Sequence, residues 1–415
     1  MLDRAIRFMK PLFTLCLLWV CLCVISVSSS YASSRAQSIP VTGARDGYPS
    51  KFDQRFASML RAWRVPGATV AIMKNGKILM ARGYGWSDMS SGQAMQPYSL
   101  FRIASVSKTL TAVAILKLVE QNKLRLDDKV FNILNDLAPL NGRGISPRLY
   151  EITVRDLLQM SSGWNTDGPG SFDPMFGPWS SRMINTLSGK IPPSCVQGTR
   201  LMMGIPLRYR PGTTFSYSNL NYCLLGMIIN KVNNQPYGAA GYQTYVQQNV
   251  LLPSGIQDMQ IGRTQLYNRL PGEVKYYAYQ PSNQTNVSGL PYSDTDILAK
   301  NYSDGGWIGS APDLANYLQA LNSGRILSPR MLSVMLEKPS FQKKPSNYFA
   351  MGWTVKTVNG HRIWSKHGSF TGTIAQVIQR DDGTSYVALF NMQPGSKVQF
   401  LNQVQRVLLS YAPGQ

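Results

Sequence analysis

Three short elements of this 415-residue chain bring together residue types that can do chemistry: Ser105-Val106-Ser107-Lys108, Tyr217-Ser218-Asn219 and Lys366-His367-Gly368. A serine hydroxyl becomes a nucleophile only beside a base. The chain has two histidines, His361 and His367, and no Gly-x-Ser-x-Gly elbow, so a Ser-His-Asp arrangement has little to stand on. Lysine is the alternative base, provided burial or a second cation lowers its pKa. Ser105 and Lys108 are spaced to share one helix face, and Lys366 supplies the second cation if it lies across the same cleft. Tyr217 is a further proton carrier, since a phenolate becomes favourable beside two ammonium groups. The chemistry this set supports is acyl transfer through a serine ester.

Each element alone has a plainer reading. Ser-x-x-Lys is expected about twice by chance in a chain of this size, and a second copy, Ser340-Phe341-Gln342-Lys343, follows Pro339 in a polar stretch. Only Ser105 opens a strong helical pattern, in which Val106, Leu110, Val113, Leu116 and Leu118-Val119 recur near every 3.6 residues. It reads as that helix's N-cap, where the unsatisfied N–H groups and positive field favour an oxyanion. Tyr217 and Asn219 read equally as a helix-start tyrosine and a capping asparagine. Lys366-His367-Gly368 reads equally as a strand end and turn, the form Lys74-Asn75-Gly76 takes in a hairpin.

The elements that must position these residues alternate in type along the chain. Lys51 to Trp63 has helical spacing, and strands Ala68–Met73 and Lys77–Gly83 meet at Asn75-Gly76. The Ser105 helix follows, and a second good helix is predicted from about Ser218 to Val232. Residues 164–214 and 264–305, rich in Gly, Pro, Ser and Asn, read as long surface loops of the kind that shape a site. Strands return at Phe349–Lys356, Arg362–Lys366, Thr373–Arg380 and Thr384–Asn391, with a turn at Asp382-Gly383 and a last helix from Lys397 to about Tyr411. The simplest architecture is α+β: one antiparallel sheet built from both ends of the chain, flanked by helices, with a mostly helical insertion. The expected organisation is an export signal over 1–32, a flexible run over 33–50, and one catalytic domain over 51–412. Its α/β part covers about 51–125 and 306–412, and the insert about 126–305. No internal repeat is present.

Composition narrows the partners. Lys and Arg total 42 against 21 Asp and Glu, a formal net charge of +21, yet charged residues make up only 15%. Acids are scarce rather than bases abundant, and the longest obvious basic cluster is Lys343-Lys344. Nucleic-acid binders concentrate their charge in a stripe or tail, so nucleic acid is not expected as a partner. Two histidines also argue against a histidine-rich metal site. Arg4, Arg7 and Lys10, then the uncharged Pro11–Val27, then Ser30-Tyr31-Ala32 read as a cleaved export signal. The alternative is an uncleaved anchor, at the lower limit of length for a span. Cleavage removes Cys16, Cys21 and Cys23 and leaves Cys195 and Cys223, a disulfide candidate in an exported chain or else two free thiols. The expected place is therefore periplasmic or secreted, with no membrane span after cleavage.

Taken together, order, spacing and context resemble the serine beta-lactamase and penicillin-binding-protein superfamily, specifically its class C beta-lactamase-related branch. Further phrases carry the resemblance: Val65-Pro66-Gly67, Leu100-Phe101-Arg102-Ile103-Ala104, Ile152 to Leu158, Pro211-Gly212-Thr213, Leu224-Leu225-Gly226, Gly305-Gly306-Trp307 and Met351-Gly352-Trp353. The resemblance implies that Ser105 is acylated, with Lys108 its proton-transfer partner. Tyr217 is then general base and leaving-group acid, and Asn219 holds the substrate amide. Lys366 and Gly368 match the Lys-Thr/Ser-Gly strand motif that faces the substrate carboxylate, and the N–H groups of Ser105 and Ser369 form the oxyanion hole. His367 departs from that motif, standing where a hydroxyl residue is expected. It is bulkier but still able to donate a hydrogen bond. In another alignment His367 is the histidine of a His-x-Gly variant, and Ser369 then replaces the glycine.

An exported serine hydrolase is implied, needing no metal or organic cofactor. Its substrates would be small peptides or amides of the D-Ala-D-Ala kind, beta-lactams or peptidoglycan fragments. The alternatives are an esterase with the same site and a non-catalytic binding protein on the same fold. One expectation is independent of the resemblance. Cys223 lies four residues after Asn219, so a Cys195–Cys223 bond would pin the 164–214 loop beside the Tyr217-Asn219 helix as a wall of the cleft.

Overall fold

The structure, a computed structural model, describes residues 39–43, 50–140, 144–167, 170–176, 185–189, 193–279, 292–293 and 296–411. The expected export signal over 1–32 lies outside them. Strands β1 (Val41–Thr42), β2 (Gly67–Lys74), β3 (Lys77–Asp88) and β4 (Gln93–Ala94) come from the first part of the chain. β5 (Phe101–Arg102), β6 (Gln260–Ile261) and β7 (Trp307–Gly309) lie in and around the insertion. β8 (Asn347–Phe349), β9 (Thr354–Val358), β10 (His361–Phe370), β11 (Thr373–Arg380) and β12 (Thr384–Phe390) close the series. The helices that matter for the site are α1 (Lys51–Trp63), α2 (Ser107–Glu120), α3 (Cys195–Met203), α4 (Asn219–Val232), α5 (Ala311–Asn322) and α6 (Lys397–Leu409).

The large antiparallel sheet runs β1-β3-β2-β12-β11-β10-β9-β8, with β4 on β3, so the two ends of the chain meet where β2 pairs with β12. Local chemistry sets this join. Asn75 and Gly76 both take positive φ (49° and 81°), the geometry of a tight two-residue hairpin turn. Gly383 at φ 81° does the same beside Asp382, and Asn75 N–H donates to Gly383 O at 3.2 Å. Side chains alternate along β12. Phe390 faces α1 and α6, its ring 6.0 Å from Phe56 and 4.9 Å from Phe400. Ser385 faces the other way, where Gln319 of α5 donates to its hydroxyl at 2.6 Å. Helices thus cover both faces of the sheet, as the α+β expectation requires.

Four expectations need correction. First, Ser105 does not cap α2: Ala104 to Val106 form a 3₁₀ turn, and α2 starts at Ser107. Its hydroxyl is engaged by Lys108 and Tyr217 instead. Second, burial of α2 extends beyond the expected apolar stripe, since Ser107 to Leu116 are all buried. Third, part of the presumed surface loop 264–305 is interior. Glu273, Tyr276, Asn301, Ser303 and Asp304 are buried, although no apolar period marks the stretch. Glu273 pairs with Arg102 at 3.7 Å, and the Arg102 guanidinium stacks 4.3 Å above the Tyr276 ring. Fourth, within the expected flexible run 33–50, Val41 and Thr42 pair with Tyr84 and Gly83 of β3. The three-stranded sheet β5-β7-β6 was not foreseen either, its strands being too short for a pattern to register.

Candidate active site

Ser105 sits in the 3₁₀ turn that joins β5 to α2, directly after Ala104. That residue holds φ 46° without being glycine, an uncommon and costly backbone state that clusters at functional sites. The turn brings Lys108 back over the serine: Lys108 Nζ donates to Ser105 Oγ at 3.1 Å. Tyr217, one residue ahead of the Ser218 that caps α4, donates its hydroxyl to the same oxygen at 3.0 Å. Asn219, the first residue of α4, accepts from Lys108 Nζ at 2.8 Å through Oδ1. The cap is Ser218 rather than Asn219, which leaves the asparagine side chain available to the site. Three segments far apart in sequence therefore converge on one hydroxyl.

Lys366 reaches the group from β10. Its ammonium lies 4.9 Å from the Tyr217 ring centre and 4.9 Å from that of Phe349. The strand passes so close to the serine turn that a Cβ on Gly368 would lie 2.7 Å from Ser105 N and 2.3 Å from Ile103 O. Position 368 thus requires glycine because backbone meets backbone there, the physical content of the third motif. His367 lines the cleft. Ser369 lines the same cleft, its hydroxyl 3.4 Å from Lys397 Nζ at the start of α6. The cleft measures about 440 Å³. Its walls also include Phe215 and Phe349, whose rings lie 5.4 Å apart, and Phe176, stacked 5.5 Å from Phe370. Asp167 and Phe176, both from the 164–214 stretch, also line it.

Two buried carboxyl groups behind the serine went unread in the sequence. Asp173 Oδ2 accepts from Asn219 N at 2.6 Å and Asn219 Nδ2 at 3.2 Å, which fixes the asparagine amide. Asp304 lies 3.8 Å from Lys108 Nζ through Oδ2, and its main-chain oxygen accepts from that nitrogen at 2.6 Å. Neither belongs to a periodic pattern. A signal existed only for Asp304, which abuts the Gly305-Gly306-Trp307 phrase.

The electrostatics follow from burial and from the two ammonium groups. Burial alone would raise the Tyr217 phenol, but the charges of Lys108 and Lys366 outweigh it and hold its pKa below the ordinary value. Burial and then Lys108 lower Lys366, against the pull of Tyr217. Burial raises Asp173 in spite of its hydrogen bonds and pushes Asp304 up to about 7 in spite of Lys108. Desolvation, followed by the charges of Lys366, Lys397 and Lys356, pushes the His367 imidazole down to about 4.

Cys195, at the start of α3, and Cys223, one turn into α4 from Asn219, stand at disulfide distance with Cα atoms 5.3 Å apart. Among the described residues no cluster of three or more His, Cys, Asp or Glu could hold a metal, and no helix is long and apolar enough to cross a membrane.

Comparison with known proteins shows the family. The family model Beta-lactamase matches residues 52–409. Protein flp of Staphylococcus aureus (strain COL) is 33% identical over 179 residues, 43% of this chain and 32% of that protein. The chain thus matches about a third of the length of this curated relative. Among solved structures, the octameric penicillin-binding protein homologue from Pyrococcus abyssi superposes with a TM-score of 0.68 at 22% identity, covering 88% of this chain and 78% of that one. The D-amino acid amidase from Ochrobactrum anthropi SV3 gives 0.63 at 21%, covering 87% and 99%. These matches support the superfamily as a whole rather than its class C branch. The chain belongs to the Beta-lactamase family.

Proposed function

We propose that this chain is an exported hydrolase of the class C-related branch that forms an acyl-enzyme through Ser105 and releases it to water. Its substrate is a small D-amino-acid peptide or amide ending in a carboxylate. One observation carries the reading: Ser105 Oγ is met by both Lys108 Nζ and Tyr217 Oη, at 3.1 and 3.0 Å. In the acylation step Tyr217, ionised, takes the Ser105 proton while Oγ bonds to the carbonyl carbon. The C–N bond then breaks, and Tyr217 returns that proton to the leaving amine. Deacylation repeats the sequence with water in place of serine. The backbone N–H groups of Ser105 and Ser369 take the oxyanion. Asn219 holds the substrate amide, and Lys366 meets the carboxylate with Lys397 nearby. The cationic cleft and the likeness to a D-amino acid amidase support an anionic amide substrate, which peptidoglycan fragments would supply. Export rests on the charge and apolar pattern of residues 1–32. A second reading, hydrolysis of small neutral esters, is favoured by His367, which replaces a hydroxyl with a bulkier group at the carboxylate site.

The test is intact-protein mass after timed incubation with a penicillin, beside Ser105→Ala. The wild type should gain the mass of the drug and the variant should not. An adduct of equal yield on Ser105→Ala would remove Ser105 as nucleophile. If neither protein gains mass, the carboxylate pocket is misread, and the ester reading takes its place once p-nitrophenyl esters acylate the wild type alone.

A further inference from the structure

Lys108 is fully buried, and its three hydrogen-bond partners are all acceptors: Ser105 Oγ at 3.1 Å, Asn219 Oδ1 at 2.8 Å and the Asp304 main-chain oxygen at 2.6 Å. An ammonium has three donors and no acceptor, so the charged lysine fills this arrangement, with its third donor on Ser105 Oγ. A charge held in that position needs a counter-charge, because an isolated buried ion is strongly disfavoured. Asp304 supplies it. Its carboxylate is fully buried, Oδ2 lies 3.8 Å from Lys108 Nζ, and no hydrogen-bond donor serves that oxygen among the described residues.

We propose that Asp304 is a positioning residue: the buried counter-ion that keeps Lys108 seated as an ammonium on Ser105 and so leaves acceptance of the serine proton to Tyr217. This rests on the reading of Ser105 as the nucleophile. The groups facing Asp304 are Lys108 on α2, Asp173 in the loop behind Asn219, the phenols of Tyr242 and Tyr302, and the Cys223 sulfur 3.8 Å from Oδ1. Of these only Lys108 is a cation. Burial and the neighbouring Asp173 oppose ionisation while Lys108 favours it, and the balance falls at about 7. Below that value the carboxyl is neutral and the ammonium loses its partner. Above it the pair is complete.

The experiment is the rate of Ser105 phosphonylation by a fluorophosphonate probe, followed by intact mass between about pH 5 and pH 9. In this reaction serine oxygen replaces fluoride on phosphorus, and the serine proton leaves to the base. Wild type, Asp304→Asn, Asp304→Ser and Ser105→Ala are compared, with melting temperature recorded for each. The wild-type rate should climb as pH rises through about 7. Asp304→Asn should lose that limb, falling about tenfold or more below wild type at pH 8 and converging with it near pH 5.5. A variant profile that overlays the wild type, or a loss equal at every pH, overturns the proposal. If Asp304→Asn does not fold, Asp304→Ser is read by the same criteria. Labelling of Ser105→Ala at the wild-type rate would mean instead that the nucleophile is misassigned, and the role of Asp304 falls with it.

Discussion

The two lysines of the site occupy opposite kinds of environment, although both touch the same tyrosine. Lys108 is sealed behind Ser105, its charge engaged by three acceptors and the Asp304 carboxylate. Lys366 is also buried, but it rests on the rings of Tyr217 and Phe349, and among the described residues no carboxylate lies within ion-pair distance of it. Burial without a carboxylate is costly for a cation unless something else completes the site. Lys366 lines the cleft, so the missing anion is one that a substrate can bring. The contrast teaches that equal charges, both close to Tyr217, serve different ends. In the proposed reading, one is committed to the chemistry and the other is held for recognition.

Exchanging each lysine for a neutral residue should separate these ends. Lys108→Ala should depress acylation about 10³-fold or more with any substrate, ester or amide, because Ser105 loses a donor and Tyr217 loses a cation. Lys366→Ala should cost roughly 10- to 100-fold with substrates that end in a carboxylate, chiefly through KM. Neutral esters should lose far less. Parallel steady-state kinetics on an ester and a carboxylate-bearing amide check both statements. Equal losses on the two substrates with Lys366→Ala would dissolve the distinction.

How much of this was legible beforehand differs between the same two regions. The recognition side lies on β10 beside a sheet whose strands alternate cleanly and whose turns, Asn75-Gly76 and Asp382-Gly383, announce themselves. That frame placed Lys366 at a strand end, and only the resemblance gave Lys366 and Gly368 a role. The sealed side is built from irregular backbone: Ala104 in a left-handed conformation, Asp173 in a Gly/Ser-rich stretch, Asp304 between a short helix and a three-residue strand. Such segments carry no hydrophobic period. Burial of Asp304 is decided by residues about 80 and 200 positions away, Cys223 and Lys108, which no local pattern can express. The resemblance pointed to Ser105, Lys108 and Tyr217, but the carboxyl groups beside Asn219 and Lys108 emerge only in three dimensions.

The joint between α3 and α4 tests the sealed side from behind. Cys195 and Cys223 stand at disulfide distance, 28 residues apart, and the Cys223 sulfur lies 3.8 Å from Asp304 Oδ1. The chain-entropy argument puts a loop of that length at roughly 3–4 kcal/mol. Cys195→Ser should therefore lower the melting temperature by several degrees. It should also shift relative rates between substrates, because the tethered stretch contributes Asp167 and Phe176 to the cleft wall. Thermal melts and a small substrate panel read both effects. Unchanged stability together with unchanged preference would separate the cysteines from the site.

The smallest effect belongs to His367, the residue that departs from the motif. Lys366, Lys397 and Lys356 surround it, and with desolvation they hold its imidazole down to about 4. Above about pH 5 it is therefore neutral and contributes a hydrogen bond rather than a charge. His367→Thr restores a smaller hydroxyl donor at the same point on β10. It should change the ratio of carboxylate-substrate to ester activity by only a few-fold, and the pH profile should keep its shape. A limb near the ordinary histidine value of about 6.5 that vanished in the variant would mean that His367 does titrate in the working range. In that case the cationic cleft would gain a third pH-dependent charge, and recognition as well as chemistry would respond to pH.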